Sequence, residues 1–354
     1  MFQRLLQLHS VRTGARSCFL PIRSRIAAST VSIPCPWSSQ HTREHSTEST
    51  DSPAAIVDRW RQEMLQREVV THDTLVASPF NLLANTLEES AVPFQHEQFP
   101  PNGTVIPATW HHVYFPPRMP NRDLACDGYE TDFFPPSPFV QRMWGGAKYT
   151  WSPNSLRVGQ NVTMKTTMER TEHQQGRLGD SCFVWLNKDI ENENGWSMQE
   201  QRCLVYLTRQ DDRVTPSRAI PAKKTPAFSK IIHPASILLF RYSALTFNAH
   251  LIHYDHLYAT GKEHHPACLV HGPLSGTMMM GLLRNHLADQ GSLDEARFRS
   301  FQYRCLMPLY VGQPLKLCGR RLPATTAGIE EYELWIANHQ GNLAVKGTVE
   351  LATA

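Results

Sequence analysis

Residues 246–255 read TFNAHLIHYD, and residues 270–276 read VHGPLSG. These two stretches decide how the rest of the chain is read. In the second, Pro273 suits the first position of a helix, where its missing N–H would be unpaired anyway. Gly272 before it lets another group come close to the backbone. Leu274, Met278, Gly281 and Leu282 then recur at helical spacing, which predicts a helix from Pro273 to about Asp289. The unpaired N–H groups of its first turn carry a partial charge of about +0.5 and can polarise a carbonyl. In the first stretch, His253 follows Asn248 by five residues. A neutral imidazole, with its ordinary pKa of ~6.5, suits removal of a weakly acidic proton. Six of the 17 histidines fall between positions 250 and 271, so the chemistry is expected there.

Downstream of the helix, strands are expected at Phe301–Tyr310, Leu315–Gly319, Glu331–Ala337 and Leu343–Leu351. In the first, Phe301, Tyr303, Cys305 and Met307 alternate with Gln302, Arg304 and Leu306. One long helix followed by antiparallel strands is an α+β pattern. Upstream, Ser236–Leu245 reads as a short strand or turn, and Thr246–His265 as a His-rich loop or helix. Residues 211–230 form a polar connector carrying Asp211, Asp212, Pro216, Pro221, Lys223 and Pro226. Before it, residues 139–209 read as strands, with Val162, Met164, Thr166 and Met168 alternating. Residues 93–138 are rich in Pro and aromatics and read as an ordered loop. Helices are expected around Ile56, Trp60 and Met64, and from Thr74 to Leu87.

A faint repeat links the two halves. Val158-Gly159-Gln160 opens one run of strands and Val311-Gly312-Gln313 the other. A Trp-bearing strand follows each, holding Trp185 and Trp335.

The chain has 354 residues, a hydrophobic fraction of 41% and a charged fraction of 19%. That size suggests two domains. A net charge of +3 gives no bulk case for a nucleic-acid partner. No apolar run approaches the ~20 residues of a membrane span. The eight cysteines form no C-x-x-C pair and are expected as reduced, buried thiols. From Met1 to Arg43 there is no acidic residue, while Arg4, Arg12, Arg16, Arg23, Arg25 and Arg43 are spread among Ser and Thr. That is the composition of a mitochondrial transit peptide. The expected organisation is a transit peptide over 1–50, a first domain over 51–210, a connector over 211–230 and a catalytic domain over 231–354.

The segment Phe240–Asp255, FRYSALTFNAHLIHYD, and the following His271-Gly272 resemble the MaoC-like, or hydratase-2, enzymes. The likeness is closest to the mitochondrial 3-hydroxyacyl-thioester dehydratases, type 2. It extends upstream through Arg142-Met143-Trp144 and Gly146. It implies an α+β double hot-dog fold, two antiparallel sheets each wrapping a central helix, with catalysis in the second. His253 falls on the family's catalytic His, and His271-Gly272 on the His-Gly that holds the thioester. Asn248 stands where the simpler hydratases carry Asp. An amide cannot give up a proton as a carboxylic acid would, so His253 acts as base and acid, or Asp255 assists. The implied reaction removes water from an (R)-3-hydroxyacyl thioester to give a trans-2-enoyl thioester. The carbonyl rests on the Gly272 N–H, and Asn248 holds the leaving hydroxyl.

The resemblance further implies no metal or redox cofactor. It places the substrate on the phosphopantetheine of acyl carrier protein, in fatty acid biosynthesis in the mitochondrial matrix. A coenzyme A ester from short-chain or dicarboxylic acid catabolism is the alternative carrier. Arg241, Arg284, Arg320 and Arg321 are candidates to meet phosphates or an acidic carrier. The expected assembly is a monomer or a homodimer. A non-catalytic hot-dog subunit that binds acyl chains is the alternative of another class. A metal site at His250, His253 and Asp255 is a third, opposed by the apolar Leu251 and Ile252 between them.

Overall fold

The structure is a computed structural model that describes residues 51–176, 179–208, 219–323 and 326–353. The acid-free leader and positions 209–218, which include the first part of the connector, lie outside the described residues.

Ser52 accepts a hydrogen bond from the Ala55 N–H and caps helix α1, Pro53–Met64, which opens on Pro53. Strand β1, Glu68–Thr74, is a half-exposed alternating strand. Helix α2, Ala77–Leu87, follows and buries Phe80, Leu83 and Ala84. The helix expected from Thr74 starts three residues later, because Val69, Val70 and Thr71 favour a strand that pairs through to Thr74. Residues 88–138 form a loop that takes in the one expected over 93–138, broken by two 3-10 turns at Trp110–Val113 and Asn121–Asp123. Four strands complete the first half: β2 (Phe139–Trp151), β3 (Asn161–Gly176), β4 (Gly179–Asn192) and β5 (Gly195–Thr208).

The second half repeats the order. Strand β6, Phe228–Ile232, begins inside the stretch expected as connector. Helices α3 (Ser236–Thr246), α4 (His256–Gly261) and α5 (Gly272–Asp289) follow. Strands β7 (Phe298–Cys305), β8 (Leu315–Arg321), β9 (Ile329–Ala337) and β10 (Leu343–Ala352) close the chain. The stretch at 236–245 is a helix rather than a strand or turn. It buries Leu239, Tyr242 and Ser243 on one face while Ile237 and Phe240 stay exposed on the other. Apolar residues on both faces hide the period that would mark a helix.

All ten strands of the described residues lie in one antiparallel sheet, ordered β1-β3-β4-β5-β2-β7-β10-β9-β8-β6. Numbered within each half, both run first-third-fourth-fifth-second toward the centre. This is a double hot-dog arrangement of α+β class. The two expected sheets are fused edge to edge where β2 pairs with β7, from Gly146↔Arg304 to Thr150↔Ser300. Fusion removes two open sheet edges. The faint repeat falls on equivalent turns: Gly159 (φ +94°) and Gly312 (φ +79°) both precede the third strand of their half. Only glycine reaches such angles at no steric cost.

One core spans both halves, with Leu83, Tyr149, Met279, Leu283, Phe301 and Leu334 among its members. Burial of that apolar surface is the main favourable term. Helix α1 caps a smaller core on the first half, built on Trp60, Phe139, Val184 and Tyr206. Arg284 of α5 is 1% exposed and lies between Glu89 and Glu295. It ties the helix to the first half and is too deep to meet a phosphate. Arg320 and Arg321 are engaged by Glu333 and Glu330. Of the described cysteines, all are free thiols. Cys182, Cys268 and Cys318 are buried as expected, whereas Cys126 is exposed. Among the described residues, no helix is long and apolar enough to cross a membrane.

Candidate active site

His253 ends a 3-10 turn, Leu251–His253, and is 8% exposed. Its Nδ1 lies 2.9 Å from the Leu269 carbonyl oxygen. A carbonyl only accepts, so Nδ1 carries the proton and Nε2 holds the free lone pair in the neutral ring. Burial pulls the imidazole pKa down to about 4, against a smaller opposing effect of the Leu269 carbonyl. The ring is therefore neutral at physiological pH and can accept a proton at Nε2.

Asn248 is fixed by an Asx turn: its Oδ1 accepts from the His250 N–H at 3.0 Å. That bond leaves the amide N–H groups as what the side chain offers a ligand. They can hold an oxygen but supply no acid proton.

His271 is the cap residue of α5 and is completely buried. Its ring stacks on His253 with centroids 3.6 Å apart, and its Nε2 lies 2.8 Å from Ser243 Oγ. Burial holds its pKa well below the usual range. With no exposed surface, the His271 side chain packs against the His253 ring. Gly272 opens α5, and a Cβ there would run into the Trp144 ring. Tyr303 OH donates to the Gly272 carbonyl at 3.2 Å and accepts from Trp144 Nε1 at 3.0 Å. A β-bulge between Trp144 and Gly146 sets this tryptophan against the start of the helix. The first-turn N–H groups of α5 are thus held beside the loop that carries Asn248 and His253.

Asp255 Oδ1 accepts from the Tyr258 N–H at 2.9 Å and caps α4, which gives one carboxylate oxygen to the helix. Among the described residues, His250, His253 and Asp255 do not bring their donor atoms together as a metal group, and His250 Nε2 lies 3.4 Å from Asp127.

Asp127 is a residue that sequence reasoning missed. It comes from the loop of the first half and is buried. Its Oδ2 meets Arg142 Nη2 at 3.2 Å, and its carbonyl accepts from the Leu251 N–H at 2.8 Å. Gly128 (φ +84°) lets this loop press against the Ala249 backbone, where a Cβ would collide. Arg142 lies over the Tyr129 ring at 4.1 Å. Arg142, which stands in the Arg-Met-Trp block that carries the family resemblance, was the one available signal.

Two cavities meet at the site. The larger, about 730 Å³, is lined by His253, Gly272, Asn248, Arg142 and Arg304. The smaller, about 320 Å³, is lined by Tyr242, Phe240, Phe115, His112, Glu200 and Arg202. Tyr129, Trp144, Asn248 and Pro273 line both. A neutral imidazole with a fixed tautomer, an amide and a helix start converge where the cavities join. Fold and site together define a hot-dog protein with an acid–base site suited to a proton beside a carbonyl.

The chain belongs to the hydroxyacyl-thioester dehydratase type 2 family, whose sequence profile matches residues 109–311. This is a family of hydro-lyases. The chain is 32% identical over 262 residues to the mesaconyl-C(4)-CoA hydratase of Chloroflexus aurantiacus, covering 71% of this chain and 88% of that one. It is 28% identical over 279 residues to the mitochondrial hydroxyacyl-thioester dehydratase type 2 of Schizosaccharomyces pombe, covering 72% and 90%. Among solved structures, a MaoC-like dehydratase superposes with a TM-score of 0.60 at 11% identity, covering 83% of this chain and 99% of that one. A MaoC-like dehydratase from Phytophthora capsici gives 0.55 at 18% identity, covering 82% and 98%. These two likenesses concern the fold.

Proposed function

We propose that this protein removes water from (R)-3-hydroxyacyl thioesters, and adds it back to trans-2-enoyl thioesters, at His253. The observation that carries the reading is the Nδ1–Leu269 bond, which leaves Nε2 as the base. The thioester carbonyl accepts from the N–H groups at Gly272, which takes up the charge of the enolate. His253 Nε2 takes the α-proton, and the electron pair forms the new double bond as the C3–O bond breaks. The departing hydroxyl is held by the Asn248 amide and takes the same proton from Nε2, leaving as water. A low-pKa imidazolium is a ready donor for that last step. One residue serves as base and acid, consistent with an amide at position 248. The reaction calls on no metal or redox cofactor.

The division of labour is part of the proposal: residues 231–354 carry the chemistry, and residues 51–210 shape the acyl cavity and brace the catalytic loop. We further propose a mitochondrial matrix enzyme whose substrates ride on acyl carrier protein, in fatty acid synthesis. The acid-free leader and the mitochondrial relative from S. pombe support this. A coenzyme A ester of a short or dicarboxylic acid is the second reading. The charged wall of the smaller cavity and the relative from C. aurantiacus favour it.

The test is hydration of matched trans-2-enoyl thioesters on acyl carrier protein and on coenzyme A by the purified protein. Loss of the conjugated ultraviolet band, with an (R)-3-hydroxyacyl product, is expected. A folded protein that turns over neither set contradicts the proposal and favours a non-catalytic acyl-binding subunit.

A further inference from the structure

The smaller cavity has a wall unlike an alkyl tunnel. His111, His112, Lys188, Glu200 and Arg202 line it, all from the first half. Glu200 is 1% exposed and is gripped by Arg202 through two bonds, Nε to Oε1 and Nη2 to Oε2, each 2.9 Å. His111 Nε2 adds a third contact to Oε2 at 3.2 Å. His112 Nε2 lies 3.0 Å from the Tyr149 hydroxyl. His111, His112 and Glu200 offer ligand atoms within 4.8 Å of one another. A cation there is disfavoured, because both Glu200 oxygens already serve Arg202 and a second positive group, Lys188, lines the same cavity.

Lys188 is the group without a match. Among the described residues, no ion pair or hydrogen bond joins its ammonium. Glu130 also lines the cavity but forms no ion pair with it, and bears on it less than Arg202 and Glu200 do. Burial, then the neighbouring Arg202, pull the Lys188 pKa down to about 8. Glu200, opposite it across the β4–β5 pair, Glu130 and Asp132 act on it favourably but make no ion pair with it, and an anion in contact would relieve the cost of its burial. Arg202 spends Nε and Nη2 on Glu200, which leaves the Nη1 hydrogens for another acceptor.

This cavity continues from the reacting centre, since Asn248, Trp144 and Pro273 line both it and the larger cleft. That shared wall gives an acyl chain anchored at Gly272 a route into it. We propose that Lys188 and Arg202 form a subsite for a carboxylate at the far end of the acyl chain, so that the preferred substrates are thioesters of short dicarboxylic acids. The inference rests on the hydro-lyase reading above and favours its second form, the coenzyme A ester of a dicarboxylic acid, over the acyl-carrier form.

The test uses the full chain and matched coenzyme A thioesters of equal carbon count, one ending in carboxylate and one in methyl. Glutaryl-CoA and valeryl-CoA, which cannot react, report binding by calorimetry. The corresponding trans-2-enoyl esters report turnover. The carboxylated member of each pair is expected to be favoured by about ten-fold or more. Lys188→Met is expected to bring both ratios toward one, and Lys188→Arg to restore the preference. Equal or reversed preference in the wild type overturns the subsite while turnover keeps the hydro-lyase reading. If neither ester turns over, that reading fails, and the binding ratio still decides the subsite. If Lys188→Met does not fold, the wild-type ratios and Lys188→Arg decide it.

Discussion

The two halves share a strand order but differ between their first and second strands. The second half places the 18-residue helix α5 there. The first half has α2 as a counterpart of α3, each ending on a left-handed residue, Glu88 and Phe247. In place of α5 it has only the 88–138 loop with its two 3-10 turns. That loop supplies His111, His112, Phe115 and Tyr129 to the smaller cavity, and Asp127 to the catalytic loop. One half has the helix whose N-terminus can hold a carbonyl; the other has a loop in its place, and that loop lines the cavity beside the site. Two copies of one strand order can differ in a single connection and leave the sheet alone.

The sharpest way to break this comparison is at the second half. His253→Ala is expected to lower kcat by about a thousand-fold, the scale of lost acid–base catalysis, with the fold intact by circular dichroism. Gly272→Ala pushes a methyl into the Trp144 ring. It is expected to cut kcat/KM by about ten-fold to a hundred-fold through a displaced helix start, measured by steady-state kinetics alongside Tm. Asp127→Asn probes the first half as a positioning group. It leaves Arg142 and His250 without a carboxylate, so kcat is expected to fall about ten-fold with KM little changed, as small displacements of a base do. A fall in stability without that kcat loss would make Asp127 merely structural.

Acid comes next. In the fold His253 stays neutral down to about 4, whereas an unfolded histidine titrates near ~6.5. The unfolded chain therefore binds more protons across that window, and stability is lost as pH falls from about 6.5 toward 4. His250 and His271 are lowered in the same direction by burial. Urea midpoints at neutral pH and at pH near 5 should differ, with the acidic one lower. The acid limb of kcat/KM should lie well below that of a free imidazole. The smallest effect is expected at Asp255→Ala: about 1 kcal/mol of cap stability, read as a lower Tm, with kcat within about two-fold.

Much of the fold was legible because local rules agreed. Pro273 after Gly272 marked the start of α5, and alternation in 301–307 marked β7. The Val-Gly-Gln pair marked equivalent turns because a glycine is needed at both. Helix α3 was not legible, since it is apolar on its exposed face too. At the site, His253 and Asn248 could be picked by residue type and spacing. The roles of His271 and Asp255 could not, because burial and capping are decided by what surrounds them. Asp127, Lys188, Glu200 and Arg202 had no local signal at all. They reach the site through strand pairing and loop packing over long sequence distances, which no short motif records.

The central claim is that a single neutral imidazole in the second half does the proton transfers. The direct measurement is the steady-state hydration of a trans-2-enoyl thioester by the full chain and by His253→Ala, at neutral pH. The account predicts that kcat collapses by about a thousand-fold while KM stays within a few-fold. A His253→Ala protein that keeps kcat within about ten-fold of wild type would contradict it, and would move the base to another residue lining the cleft.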